Sequence, residues 1–286
     1  MARVLWQLAA FVVIWLVVAS LGTAPPLLDA LAPLGASDLI AAATLLLAAV
    51  VGVLVVQRWL GGPSLGALGA RPPRDWPVAL ALGGLLGPLQ FTAVLGVETA
   101  LGLVQVAPGA PPGGGLLLLA LTFLCVAAGE ELLMRGVLLV QVARVWGVPA
   151  GVVVSSVIFA LFHVPNLSGE PSGSLVAALV LGVLALLGVL WSLAARLTGS
   201  LWLPVAWHAS WNFAQALLGF PVSGHPAEGL LRLAPRGPAW VTGGAFGPEG
   251  GLVGLLALGL GALALWAYAR RRPRGSGWSP SPPTAP

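Results

Sequence analysis

The 286-residue sequence contains no lysine, a single cysteine and few charged residues of either sign. Charged side chains make up 8% of the chain, whereas soluble domains carry about 25%. Hydrophobic residues make up 58%, which excludes an ordinary soluble domain and predicts a protein that crosses a membrane several times. The lone cysteine, Cys125, excludes an intrachain disulfide. The formal charge of +4 does not indicate a nucleic-acid partner, so we expect a lipid bilayer and no nucleic acid.

Long apolar runs divide most of the chain into candidate membrane spans, each near the 20 residues that a bilayer requires. These spans are residues 4–22, 38–60, 76–104, 115–144, 148–164, 174–196, 199–220 and 251–270. We predict an all-α polytopic membrane protein of about eight transmembrane helices with a buried polar site. Residues 1–270 are expected to form one transmembrane domain with a motif-bearing core at 115–220. The Pro- and Ser-rich residues 271–286 are expected to be a disordered cytoplasmic tail.

The positions of the arginines predict which side of the membrane each loop occupies. With the N-terminus inside, the inner ends of the spans carry Arg3, Arg58, Arg71, Arg74, Arg144, Arg196, Arg270, Arg271, Arg272 and Arg274. The outer loops then carry only Arg232 and Arg236. Because cytoplasmic loops are enriched in basic residues, both termini are predicted to be cytoplasmic. We expect an integral protein of the cytoplasmic membrane of a prokaryote.

Two adjacent carboxylates, Glu130 and Glu131, interrupt the apolar run at 115–144, and Arg135 follows them. A charge at bilayer depth costs about 2.5–3.5 kcal/mol on insertion scales and so indicates function. Glu131 and Arg135 are four residues apart on one helix face and can form an ion pair. Glu130 points about 100° away and has no partner within its own helix. A buried ion pair that only locks two helices together is the structural alternative.

Three more polar side chains fall within or next to later spans. His163 comes just before Pro165, and His208 and Asn212 share one face of a helix. Counting about 1.5 Å per residue from the nearest turns puts Glu130 and His163 about 25 Å above one turn, and His208 and Asn212 about 15 and 20 Å above another. Their depths are therefore similar, which predicts that three helices bring these groups together.

One carboxylate, two imidazoles and an amide are suited to water activation and hydrolysis. The carboxylate can take a proton from water and pass it to a leaving amine, while an imidazole and the amide stabilise an oxyanion. Glu130, His163 and His208 could instead be the three protein ligands of an open catalytic zinc site. The residues alone do not distinguish these two forms, so no cofactor is certain and zinc is one option.

The three motifs Glu130-Glu131-x-x-x-Arg135, Phe159-x-x-x-His163 and His208-x-x-x-Asn212 resemble, in this order, the signature of the CAAX protease and bacteriocin-processing family (CPBP, or Abi). The resemblance spans about residues 115–220 and implies an intramembrane endopeptidase that acts on a membrane-associated protein or peptide. It implies that Glu130 is the catalytic glutamate and that His163 helps it activate water. His208 and Asn212 would bind the oxyanion, and Glu131 and Arg135 would be supporting residues.

CAAX processing occurs on the cytosolic side of the membrane, whereas the depths above put the site in the middle or outer half of the bilayer. The name metalloprotease is common in this family, but a mechanism without direct metal ligation is also argued for it. Two other functions remain open from the residues. One is a non-enzymatic immunity or scaffolding protein of the same fold, and the other is a proton-coupled transporter.

Overall fold

The computed structural model describes residues 1–22, 24, 37–73, 75–112, 115–169 and 173–272. Apart from residues 271 and 272, the expected tail at 271–286 lies outside the described residues. Helices dominate the described chain, and the predicted all-α polytopic membrane fold is confirmed.

Ten α-helices and two short strands follow one another along the described parts of the chain. In order they are α1 (Ala2–Gly22), α2 (Ser37–Leu60), α3 (Trp76–Ala100), β1 (Val104–Pro108), α4 (Gly115–Glu131), α5 (Leu139–Trp146), α6 (Val148–Leu161), α7 (Gly173–Thr198), α8 (Trp202–Leu217), β2 (Leu231–Pro235), α9 (Ala239–Thr242) and α10 (Leu252–Arg271). A π-helical segment, Leu132–Leu138, joins α4 to α5, so that the three form one apolar rod of 32 residues, Gly115–Trp146.

Six helices in the described chain are long and apolar enough to cross a membrane. The predicted count of eight crossing helices is not confirmed, because the predicted spans 148–164 and 199–220 form shorter helices. These are α6 with 14 residues and α8 with 16. His163 follows the end of α6, and His208 lies in the middle of α8. Both motif histidines are therefore on or next to short helices that pack among longer ones.

The bundle has two distinct ends. At the first, which we call the terminal end, Arg3 Nη2 donates to the Leu60 carbonyl and Arg272 pairs with Asp75 at 3.4 Å. At the second, the sheet end, β1 and β2 form an antiparallel pair in which Val106 lies opposite Leu233. The sequence did not predict these strands. They are five residues each, lie in loops between spans, and are too short to show a clear alternation of polar and apolar residues.

Two glycines of α3 bring it close to α8. A Cβ on Gly83 would lie 2.7 Å from the Ala206 Cβ, and one on Gly87 would lie 2.2 Å from the backbone carbon of Ser210. The spacing Gly83-x-x-x-Gly87 is the small-residue pattern that lets membrane helices pack backbone to backbone. The Ser210 hydroxyl donates to the Gly83 carbonyl at 2.7 Å and accepts from the Gly87 amide at 3.2 Å. This contact fixes the position of the helix that carries His208 and Asn212.

Candidate active site

The site is built around a fully buried ion pair. Arg135 Nη1 donates to Glu131 Oε1 at 2.8 Å, and both side chains are 0% exposed. Arg135 Nη2 also donates to the Gly188 carbonyl of α7 at 3.2 Å, and its guanidinium lies 4.6 Å from the centre of the Phe159 ring. The ion pair that the four-residue spacing predicts is therefore present. It also links the rod that contains α4 to α6 and α7.

Glu131 has a second partner that the sequence did not reveal. His208 Nδ1 lies 3.0 Å from Glu131 Oε1. Because an ionised carboxylate only accepts hydrogen bonds, the proton of this bond is assigned to Nδ1. The Trp191 indole stacks on the His208 ring with a centroid distance of 4.0 Å and an angle of 20°. The stacking fixes the orientation of the imidazole ring, and the hydrogen bond fixes its tautomer. Nε2 lies on the opposite edge of the ring.

Glu130 faces that other edge. Its Oε2 lies 3.9 Å from His208 Nε2, and its side chain is 35% exposed, whereas that of Glu131 is sealed. The residue before it, Gly129, packs against the backbone of α2, where a Cβ would lie 3.2 Å from Leu46 Cα. This close approach places Glu130 at the junction of α2, α4 and α8. The two adjacent carboxylates therefore have different environments, as their 100° separation predicts.

His163 lies just beyond the end of α6. Its Nδ1 is 2.8 Å from the Phe159 carbonyl oxygen, which can only accept, so the proton is assigned to Nδ1 here as well. The Phe159 ring contacts both histidines edge-on, with centroid distances of 4.9 Å to His163 and 6.2 Å to His208. Each imidazole therefore has Nδ1 engaged by an oxygen and Nε2 left for another partner.

One cavity of about 690 Å³ brings the four predicted catalytic residues together. Glu130, His163, His208 and Asn212 all line it. Apolar side chains of α2 and α4 also line it and form what we call its apolar wall, among them Leu39, Leu45, Leu118, Leu119 and Phe123. The cavity therefore combines polar groups with an apolar wall, a combination that suits a ligand with one scissile polar group and apolar neighbours.

A loop at residues 222–228 covers part of the cavity, and the sequence interpretation missed it. It includes Ser223 and His225, so all three histidines of the chain line one cavity. Asn166 Nδ2 donates to the Ser223 carbonyl at 2.8 Å, and Ser223 has a positive φ of 48°. Nothing in the local pattern identifies this loop, because its place over the cavity depends on contacts between distant segments.

Glu249 anchors the covering loop from behind. Its Oε1 accepts a hydrogen bond of 2.7 Å from the Ser223 amide, and its other oxygen is bonded to the side chain of Gln215, three residues after Asn212 on α8. Burial raises the pKa of Glu249 to about 7, although the hydrogen bonds from Ser223 and Gln215 act in the opposite direction. The carboxyl group thus connects the loop to the helix that carries His208 and Asn212.

Glu130, His163 and His208 are not spaced as three ligands of one metal ion. Two ligand atoms on one tetrahedral zinc lie about 3.4 Å apart, given bond lengths near 2.1 Å. Glu130 Oε2 and His208 Nε2 are separated by 3.9 Å, and in the described part of the chain no three His, Cys, Asp or Glu side chains are grouped to hold a metal ion. The engaged Nδ1 atoms are what zinc-binding histidines also show. No catalytic step is assigned to a metal.

Comparison with known proteins identifies the motif-bearing region. Residues 112–214 match the family model described as type II CAAX prenyl endopeptidase Rce1-like. The matched stretch is a little over a third of the chain and contains Glu130, His163, His208 and Asn212. Comparisons with curated proteins and with solved structures gave no match.

Proposed function

The motif-bearing region at residues 112–214 belongs to the CAAX protease family, and on that premise we propose an intramembrane endopeptidase that acts on a membrane-associated protein or peptide. The observation that carries this proposal is the pairing in one cavity of the accessible Glu130 carboxylate with His208 Nε2, 3.9 Å away. A carboxylate next to an oriented imidazole, in a cavity with an apolar wall, is suited to hydrolysis of a peptide bond.

In the proposed reaction Glu130 acts as general base. A water molecule in the cavity gives a proton to Glu130, with help from His163, and its oxygen attacks the peptide carbonyl carbon. The carbonyl π electrons move to oxygen and form a tetrahedral oxyanion. When the carbon–nitrogen bond breaks, Glu130 returns the proton to the leaving amine, which yields a carboxylic acid and an amine. No covalent enzyme intermediate is required.

His208 and Asn212 stabilise the oxyanion in this scheme. Asn212 can donate from its amide, whereas His208 can donate from Nε2 only when the ring carries protons on both nitrogens. The ionised Glu131 on Nδ1 stabilises the positive charge of that doubly protonated ring, as the carboxylate does in a carboxylate–histidine pair. Arg135 in turn fixes the Glu131 carboxylate through the 2.8 Å hydrogen bond from its Nη1. Glu131 and Arg135 are therefore positioning residues that act through His208.

A zinc-assisted form of the same hydrolysis is the alternative mechanism. Glu130, His163 and His208 would have to move together to supply three ligands to one ion. We give preference to the metal-free form, because the present spacing leaves Glu130 free to accept a proton from water.

We also propose that the protein resides in the cytoplasmic membrane of a prokaryote with both termini in the cytoplasm. The support is the distribution of arginines, which are concentrated at the terminal end of the bundle. The bilayer is then its permanent partner, and no nucleic acid is involved.

Two other functions compete with the endopeptidase. One is a non-enzymatic immunity or scaffolding protein, the other is a proton-coupled transporter, and neither requires hydrolytic chemistry.

Replacement of the base tests the proposal. We expect Glu130→Gln to lower cleavage of a co-expressed membrane peptide by about 10²–10⁴-fold, because the amide cannot accept the proton from water. The matched control is Glu98→Gln, the same change at a buried carboxyl of α3 that does not line the cavity. Full cleavage by folded Glu130→Gln protein would refute the endopeptidase. Loss of wild-type cleavage upon chelation, restored by added zinc, would favour the zinc-assisted form.

A further inference from the structure

The cavity lies at the sheet end of the bundle. Its lining includes Leu39 in the first turn of α2, Leu118 in the first turn of α4, and His163 just past the end of α6. Each of these three helix ends lies at the sheet end, because the other end of the same helix or rod lies at the terminal end. The covering loop at 222–228 also belongs to this end, since the Leu230 amide next to it donates to the Leu217 carbonyl at the close of α8.

The opposite end carries most of the basic side chains. Arginines at the terminal end of the described helices and their adjoining loops are Arg3, Arg58, Arg71, Arg144, Arg196, Arg270, Arg271 and Arg272. At the sheet end of the described chain only Arg232 and Arg236 are found, both on or next to β2. Ser200 Oγ donates to the Arg71 carbonyl at 2.8 Å, which confirms that the α7–α8 turn and the α2–α3 loop share the terminal end. By the positive-inside rule the terminal end is cytoplasmic.

The mouth of the cavity is polar and exposed. Asp38, His225 and Glu228 are exposed residues that line it, in contrast to the sealed Glu131 below. Exposed charged side chains are stable in water or at the interface and costly in hydrocarbon. The mouth therefore reaches the aqueous boundary at the sheet end, and a peptide can enter from that side.

We infer that the cavity opens to the extracytoplasmic side and that its substrates are peptide segments beside a membrane span on that side. This inference rests on the proposed endopeptidase function for its substrate class, but the orientation stands on the arginines and the cavity alone. The scissile bond is in an extracytoplasmic juxtamembrane segment whose apolar residues contact the α2 and α4 wall. A peptide segment on the cytosolic side, where CAAX processing occurs, cannot reach Glu130 from this mouth.

Cysteine labelling tests the orientation, because the chain has only one native cysteine to remove. In a Cys125→Ala background, single cysteines are introduced by Glu228→Cys at the mouth and by Ala67→Cys, an exposed position at the terminal end. We expect a membrane-impermeant maleimide to label the Glu228→Cys variant equally in intact and permeabilised cells, and the Ala67→Cys variant only after permeabilisation. The reverse pattern would overturn the inference.

Two reporters test the substrate class. Each is a single-span membrane peptide with the same cleavable segment, placed on the extracytoplasmic flank in one and on the cytoplasmic flank in the other. We expect the full chain to cleave only the first, and Glu130→Gln to abolish that cleavage. Glu130-dependent cleavage of only the cytoplasmic reporter overturns this inference and leaves the proposed function intact. Mouth labelling from outside without cleavage of either reporter overturns the proposed function, and the substrate class with it, while the orientation stands.

Discussion

At the scale of single residues, Glu131 determines how the site is organised. One of its oxygens accepts from both Arg135 at 2.8 Å and His208 at 3.0 Å, so a single carboxylate compensates a buried cation and orients an imidazole. Its other oxygen is buried and has no hydrogen-bond partner in the described chain. We expect Glu131→Gln to destabilise the protein by about 3–5 kcal/mol, because Arg135 is left as an uncompensated buried charge. Chemical denaturation in detergent measures this loss.

A double variant separates the two roles of Glu131. Glu131→Leu with Arg135→Met removes both charges together, and replacement of a buried ion pair by apolar residues is often neutral or stabilising. We expect stability to return towards the wild-type value while peptide cleavage stays low, because His208 Nδ1 has lost its acceptor. Recovery of cleavage along with stability would mean that Glu131 serves the fold alone.

The residues of the site differ in how far the sequence predicts them. The Glu131–Arg135 pair could be predicted because it depends only on the geometry of one helix. Counting residues along the helices predicted a similar depth for Glu130, His163, His208 and Asn212, and all four line one cavity, while their catalytic roles are a proposal. The bond from His208 to Glu131 could not be predicted, because it spans 77 positions and depends on how two helices rotate against each other.

At the scale of elements, the packing of α3 on α8 decides where the motif residues of α8 lie. A Cβ on Gly87 would lie 2.2–2.3 Å from backbone atoms of Ser210 and Trp211, and backbone cannot rotate aside as a side chain can. We expect Gly87→Ala to push the helices apart, lower the thermal stability and lower cleavage, since His208 and Asn212 move with α8. Thermal unfolding and the peptide assay on the same sample measure both effects.

Gly84 provides the matched control on the same helix. A Cβ at Gly84 would meet nothing within 4 Å, so Gly84→Ala adds the same methyl group without a clash. Helix propensity alone favours alanine over glycine by about 0.5–1 kcal/mol, so this variant should be as stable as wild type or slightly more stable. Equal behaviour of the two variants would show that close backbone contact is not what positions α8.

Element types were easier to predict than element lengths. The long spans could be predicted because a membrane requires about 20 apolar residues and the sequence supplies them in continuous runs. The runs at 148–164 and 199–220 are also largely apolar, but α6 ends at Leu161 and α8 begins at Trp202. Pro165 does not permit continuation of the first helix, and the Thr198–Leu201 turn takes up the start of the second run.

At the scale of the whole molecule, the sequence predicts the side of each loop but not what the loops build. Arginine positions separate the two ends without any knowledge of packing. The sheet end, in contrast, is assembled from segments far apart along the chain. The register that pairs Val104 with Pro235, and the contact of Asn166 with Ser223, both depend on the final arrangement of all helices. Such contacts leave no periodic signal in the sequence.

Glu249, which anchors the covering loop at the sheet end, makes the stability of the whole protein depend on pH. Burial raises its pKa from 4.5 to about 7, so between these values the folded protein holds a proton that the unfolded chain has lost. Stability conferred by this group is therefore complete below about pH 4.5, decreases as the pH rises, and is gone above about pH 7. The total change is on the order of 3 kcal/mol. We expect the thermal unfolding midpoint in detergent to fall across this range.

Glu249→Gln should flatten that dependence and make the protein more stable than wild type at pH 8. The amide oxygen still accepts from the Ser223 amide, and Gln215 can rotate its amide so that its oxygen, unpartnered in the described structure, receives the new N–H in exchange for its hydrogen bond to the Pro221 carbonyl. The control is Glu228→Gln, the same change at an exposed carboxylate of the covering loop, which should keep the wild-type pH dependence because water solvates both of its forms. If Glu249→Gln showed the wild-type slope between pH 5 and 7, the pH dependence would arise elsewhere, and Glu249 would be ionised within the folded protein despite its burial.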